Sequence, residues 1–229
     1  MELGRIGIWT FAFDQQPWAA VREAAAEIEA LGYGAIWYGE SAGRDALTQA
    51  ALLLAATERI VVASGIARIG VRDARTMAAA HRALTDAYPD RFVLGLGGSR
   101  QLGTGEKPVA AMRRYLDEMD QAPYTPPPPR SVPVRMLGAM HPGMLRLAAR
   151  RTDGTQTYLV PPAHTSVARA ELGDGKVLTP EQAVALTTDR TRAHELGRAY
   201  LSFYLRIPAY TTNFKRIGFG DDDLANGGS

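Results

Sequence analysis

The chain has 229 residues, 46% hydrophobic and 22% charged, enough to bury one large core, so a single globular domain over 1–229 is expected and disordered or fibrous classes are excluded. Its 26 basic residues nearly match 24 acidic ones, for a formal charge of +2 with no basic block, which argues against a nucleic-acid partner. Cysteine is absent, which rules out disulfides, thiolate nucleophiles and cysteine-ligated zinc and suits a reducing, cytoplasmic address. Residues 1–5 lack the pattern of a signal peptide and the apolar run 50–56 is too short for a bilayer, so no membrane partner is expected.

Arg5 to Thr10 reads as a first strand, and Pro17 opens a helix with apolar Val21, Ala24, Ala25, Ile28 and Leu31 at three- and four-residue spacing. A second strand begins near Ala35. Asp45 and Asp73 stand where helix N-caps belong, ahead of alanine-rich helices over 46–56 and 74–88, with a third strand from Ile60 between them and a fourth from Arg91 after them. The prolines from Pro123 to Pro133 form a stiff connector between a helix at 108–119 and a strand at 132–137. A helix at 142–150, a strand at 154–159 and a helix at 164–172 follow. Gln182 to Thr187 has strand character and is expected as the seventh strand, before a helix from Asp189 to about Leu205. The rhythm is that of parallel strands joined by right-handed crossovers, with an eighth strand missing.

In such folds ligands sit at the carboxyl ends of strands, which puts Trp9, Phe11, Glu40, Ser41, Gly65 to Arg68, Gly97 to Arg100, Gly138 to His141 and Tyr158 under consideration. Gly95 to Ser99 is not a dinucleotide fingerprint, because the next helix starts only near Lys107. Glycines at strand ends either let a flat ring or a phosphate approach the backbone or serve as packing devices. Gly138-Ala139-Met140-His141-Pro142 offers an anion site at a helix N-terminus. Glu40 serves as a general acid or base if burial raises its pKa, or else caps the next helix or pairs with arginine. Trp9 and Phe11, with Arg68 and Arg100, are candidates for the substrate pocket. The histidines at 81, 141, 164 and 194 lack metal-ligand spacing, and no nucleophile elbow or Walker loop is present, so the chemistry is expected to belong to a bound cofactor.

The segments Leu31 to Trp37, Ala55 to Ile66 and Tyr88 to Gly97, extended by Lys107 to Asp117, Leu145 to Gly154 and Tyr210 to Phe219, resemble the bacterial luciferase-like flavin and deazaflavin oxidoreductases, most nearly the actinobacterial branch dependent on coenzyme F-420. The resemblance implies a TIM-like (β/α) barrel of the luciferase-like type. It implies a bulge, often with a non-prolyl cis peptide, at the position of Gly65-Ile66-Ala67, backing the cofactor ring. It places Gly97, Gly98 and Ser99 along the ring and ribityl chain, and Gly138, Ala139, Met140 and Tyr158 toward the phosphate. Many relatives have an acid followed by histidine where this chain has Glu40-Ser41, a longer segment after strand four, and a further helix, strand and helix at the end. The expected activity is hydride transfer between coenzyme F-420, an 8-hydroxy-5-deazaflavin, and a small organic substrate, with Glu40 or a water handling the proton. The alternatives are an FMN-dependent monooxygenase and a non-catalytic ligand-binding relative. An open barrel exposes two strand edges, so a homodimer is also expected.

Overall fold

The computed structural model describes residues 1–98 and 105–228. Its frame is one parallel sheet, made of β1 (Gly7–Thr10), β2 (Ala35–Tyr38), β3 (Val61–Ser64), β4 (Ala67–Arg68), β5 (Phe92–Gly97), β6 (Val134–Gly138), β7 (Gly154–Thr157) and β8 (Val177–Pro180). The order is β1-β2-β3-β5-β6-β7-β8, and the two-residue β4 lies beyond the end of β3 and pairs with β5. Sequential strands are therefore spatial neighbours, as crossover connections of one hand require.

Helices α1 (Trp18–Ala30), α2 (Ala46–Ala56), α3 (Ala74–Ala87), α4 (Pro108–Asp120), α5 (Pro142–Arg151) and α6 (Pro162–Leu172) supply the crossovers. Asp45 accepts the Thr48 amide at 2.8 Å, and Asp73 accepts those of Arg75 and Thr76, so both predicted caps form. Proline stands at the first position of α4, α5 and α6, where a missing N–H costs nothing.

The strand side chains divide between two cores. Ile36, Val62, Leu94 and Leu96 join the helices in the large outer core. Trp37, Ala63, Val93 and Met136 make a smaller cluster on the concave face, with Trp9 packed against it. Burial on both faces explains why β2, β3 and β5 read as near-continuous apolar runs.

The seventh strand corrects the sequence expectation. It is β8, over Val177–Pro180, and residues 182–187 have neither helix nor strand. Val177 to Pro180 find β7 beside them, and the Glu181 amide still reaches the Thr157 carbonyl at 2.8 Å. Pro180 is tolerated because β8 is an edge strand. Val184 and Leu186, 90% and 107% exposed, have strand propensity but nothing to pair with.

Beyond them come α7 (Arg190–Tyr204), α8 (Pro208–Arg216) and the short α9 (Asp221–Leu224). Tyr204 and Phe214 pack with Leu159 in a core of their own. Among the described residues β1 and β8 remain unpaired on their outer sides, so the barrel is open, as the strand count implied. No helix of the described residues is long and apolar enough to cross a membrane.

One buried polar contact ties α3 to the sheet. His81, 4% exposed, meets the Val134 carbonyl at 3.0 Å through Nε2, and its ring stands edge-on to Phe92. Burial pulls its pKa down to about 3, so the ring is neutral in the fold and its Nε2–H donates. An unfolded histidine binds a proton from about pH 6.5 downward, so stability falls as pH drops from there toward about 3. Urea denaturation from pH 7 to pH 4 is expected to show this decline in the native chain and a shallower one in His81→Gln.

Candidate functional site at the carboxyl ends of the strands

The top layer of the concave face is built where β3 breaks off. The Gly65–Ile66 peptide is cis, and the chain bulges before resuming as β4. The Gly65 amide bonds the Tyr38 carbonyl at 2.6 Å, and the Ile66 carbonyl accepts the Glu40 amide at 3.2 Å. The bulge therefore stays stitched to the end of β2.

The three glycines singled out in the sequence meet around this bulge. A Cβ on Gly97 would lie 2.7 Å from the Ile66 side chain, and one on Gly138 would lie 2.9 Å from it. A Cβ on Gly65 would strike the Gln156 amide at 2.6 Å and the Trp9 indole nitrogen at 2.7 Å. The volume these glycines leave is thus taken up by the protein's own side chains. Gly97 and Gly138 admit Ile66, and Gly65 sits beneath Trp9 and Gln156, so together they form a floor at the mouth. Ile66, Gly65 and Gly138 are half-buried.

An aromatic wall rises beside the floor. The Trp9 indole N–H donates to the Gly65 carbonyl at 3.1 Å. Its ring meets Phe11 edge-on at 4.6 Å and Tyr158 at 4.8 Å, while Phe11 covers Gly39. The Tyr158 hydroxyl is within 2.6 Å of those of both Tyr200 and Tyr204. Burial, then these two bonds, pushes its pKa far above the tyrosine range, so it holds its proton at any working pH.

Glu40 is buried and its carboxylate is fully engaged. Oε1 accepts the Ala46 amide at 3.0 Å and Oε2 the Arg68 amide at 2.7 Å, and the Arg72 guanidinium clamps both oxygens. Arg72 is shared with Asp45. Burial pushes the Asp45 carboxyl up, but bonds from Thr48 and Arg72 outweigh it and hold it below the usual range. Of the two roles open to Glu40 in the sequence, the geometry is that of the cap and ion pair: it joins the start of α2, the bulge and the loop before α3. Ser41 is exposed, and its carbonyl accepts from Arg68 at 3.3 Å.

The cations around this face are largely consumed. Arg44 reaches Asp14 and two carbonyls, and Arg72 lies between two acids, which leaves Arg75 and Lys107 exposed. Arg68 extends past Gly98, and its Nε is buried without a partner among the described residues. Ser99 and Arg100 lie outside the described residues. Ala67 is fully buried in its pairing with Leu96.

At the start of α5 the Ala139 amide is taken by the Gln156 carbonyl. The Met140 carbonyl is shared by His164, at 2.8 Å, and Arg216, at 2.9 Å. Sequence reasoning missed Gln156, His164 and Arg216. Gln156 was legible as an inward position of β7, a glutamine where the rest of the concave layer is apolar or glycine. Arg216 arrives from α8, sixty residues beyond β7, and nothing local signals it. His164 Nδ1 and Asn213 Nδ2 are buried beside this loop without partners.

Comparison with known proteins follows the same lines. A family model described as luciferase-like monooxygenase matches residues 5–119, half of the chain. A Mycobacterium tuberculosis protein named "Putative coenzyme F420-dependent oxidoreductase Rv3520c" is 25% identical, over 96% of this chain and 78% of its own length. Among solved structures, an F-420-dependent secondary alcohol dehydrogenase in complex with an F-420–acetone adduct superposes with a TM-score of 0.70, at 17% identity over 86% of this chain and 74% of its own. The coenzyme F-420-dependent tetrahydromethanopterin reductase of Methanopyrus kandleri gives 0.68, at 15% over 96% and 74%. The oxygenating constituent of a Pseudomonas putida 3,6-diketocamphane monooxygenase in complex with FMN gives 0.66, at 14% over 95% and 80%. With strand order, bulge and sequence in agreement, the chain belongs to the luciferase-like monooxygenase family.

Proposed function

We propose that the protein is an F-420-dependent oxidoreductase acting on a small, largely apolar organic substrate. The observation that carries the reading is the glycine-lined floor around Ile66, anchored from below by Glu40 and Arg72 and bordered by Trp9. A planar tricycle suits such a surface, and the buried, unpartnered Arg68 Nε beside Gly98 is a donor that a polar edge of the ring would satisfy. The Mycobacterium relative favours F-420 over FMN. When bound, the deazaflavin gives or takes a hydride at its C5 carbon.

The chain's own residues position and exclude. Gly65, Ile66 and Ala67 back the ring, with Gly97 and Gly98 along its flank. The turn through Gly138, Ala139 and Met140 into the start of α5, with Arg216 beside it, suits the phosphate through helix dipole and charge. Trp9 and Phe11 keep water from the face of the ring and hold the substrate by apolar contact, and Tyr158, packed against Trp9, is assigned to this wall in place of the phosphate side that the resemblance implied. Because both Glu40 oxygens are occupied, Glu40 acts as a positioning residue and water handles the proton. The open outer edges of β1 and β8 suit a homodimer.

Quenching of tryptophan fluorescence, to which Trp9 reports, is the test of cofactor choice. Oxidised F-420 is expected to bind saturably and at least about tenfold more tightly than FMN, a gap of about 1.4 kcal/mol. The reverse order would give the FMN-dependent monooxygenase instead, and binding of neither would leave a relative without cofactor chemistry.

The role of Glu40 has a separate test. Arg72→Met strands a buried carboxylate and should cost ~3–5 kcal/mol of urea stability. Glu40→Gln should weaken F-420 binding while keeping both limbs of the pH–rate profile. Loss of a limb would make Glu40 the proton carrier.

A further inference from the structure

At the other end of the sheet, below the amino-terminal ends of β6, β7 and β8, a cleft of about 380 Å³ opens between α3, α4 and α5. Neither the cofactor reading nor the substrate reading makes use of it. Arg82, Arg135, Arg150, Arg151 and Lys176 line it, against Asp120 and Asp153 alone.

The carboxylates do not cover this charge. Asp120 takes Arg135 at 2.6 Å and Arg151 at 3.0 Å, and Arg151 reaches Asp117 as well. Asp153 accepts the backbone amide of Arg135. Arg82 donates only to the carbonyls of Ala122 and Met119, and Lys176 only to that of Thr152. Arg150 is exposed and makes no ion pair or side-chain hydrogen bond among the described residues. Three cations without a carboxylate thus face one cleft. His81, at its edge, is held neutral by burial and adds nothing. Carbonyls at the end of α5 account for arginines in its last turn. Carbonyls at the ends of α4 and α5 likewise seat Arg82 and Lys176, but a carbonyl carries no net charge, so the charge these two bring into the cleft is left uncancelled.

We infer that this cleft is a second binding site, for a small phosphorylated molecule. Guanidinium forks and a lysine ammonium match phosphoryl oxygens in geometry and charge, and five cations against Asp117, Asp120 and Asp153 leave a surplus of two positive charges, more than a single carboxylate neutralises. The volume is at the small end of ligand pockets, the size of a sugar phosphate and too small for a dinucleotide. The site lies at the opposite end of the strands from the glycine floor, so its occupant is not the phosphate of a cofactor bound there.

Protein labelled with ¹³C at the methionine methyls provides the readout, because Met119 lines the cleft and Met140 stands at the other end. Pyrophosphate is expected to shift the Met119 signal saturably and leave Met140 in place, with F-420 or FMN present or absent. Arg150→Gln combined with Lys176→Gln should weaken this at least about tenfold, equivalent to about 1.4 kcal/mol. Arg150→Gln alone breaks no contact, so it decides the point should the double variant not fold. A Met119 signal that does not move, moves equally with chloride at matched ionic strength, or moves equally in the variants overturns the site. Citrate binding as tightly as pyrophosphate overturns the phosphoryl assignment.

Discussion

The arrangement at the mouth depends on one packing constraint, the seating of the Ile66 side chain in the space that Gly97 and Gly138 leave by lacking a Cβ. Three strands are involved. Ile66 follows the end of β3, Gly97 closes β5 and Gly138 closes β6, so one side chain fixes the relative height of all three strand ends. An added methyl at either glycine would fall inside contact distance of a half-buried isoleucine, and close-packed interiors do not absorb such an intrusion by small adjustments. Gly65, the residue before it, is confined from the other side by Trp9 and Gln156.

The bulge that carries Ile66 is held from outside as well. Glu40 lies in the loop between β2 and α2, yet it bonds the backbone of Arg68 after the bulge and Ala46 at the start of the helix, and Arg72 neutralises it. A buried carboxylate needs such a counterion, and a counterion shared with Asp45 extends the tie to the cap of α2. Apolar packing sets the shape of the floor and a charged cluster sets where it lies. The aromatic wall of Trp9, Phe11 and Tyr158 is then positioned by its bond and ring contacts to that floor.

Much of this was legible in the chain. Six crossover helices, two aspartate caps and the run of parallel strands follow from periodicity, capping chemistry and glycine placement, and the glycines at the strand ends did converge. What those glycines admit was not legible, because the partner that fills a missing Cβ is a matter of tertiary packing. The seventh strand was misplaced because strand propensity in 182–187 outweighed the less apolar Val177–Pro180, whereas an available neighbour, β7, decides the pairing. The role of Glu40 turned on Arg72, thirty-two residues away. Arg216 and the tyrosines of α7 come from a helical tail whose docking onto the mouth no local pattern announces.

A double-mutant cycle between Ile66 and Gly97 tests the packing constraint directly, by urea denaturation of Gly97→Ala, Ile66→Ala and the combined variant. Gly97→Ala alone should cost ~1–3 kcal/mol through overpacking. In the combined variant that cost should disappear, giving a coupling energy on the order of 1 kcal/mol or more. Additive losses, or a Gly97→Ala variant as stable as the native chain, would mean that Ile66 does not occupy the space the glycine leaves and would contradict the account.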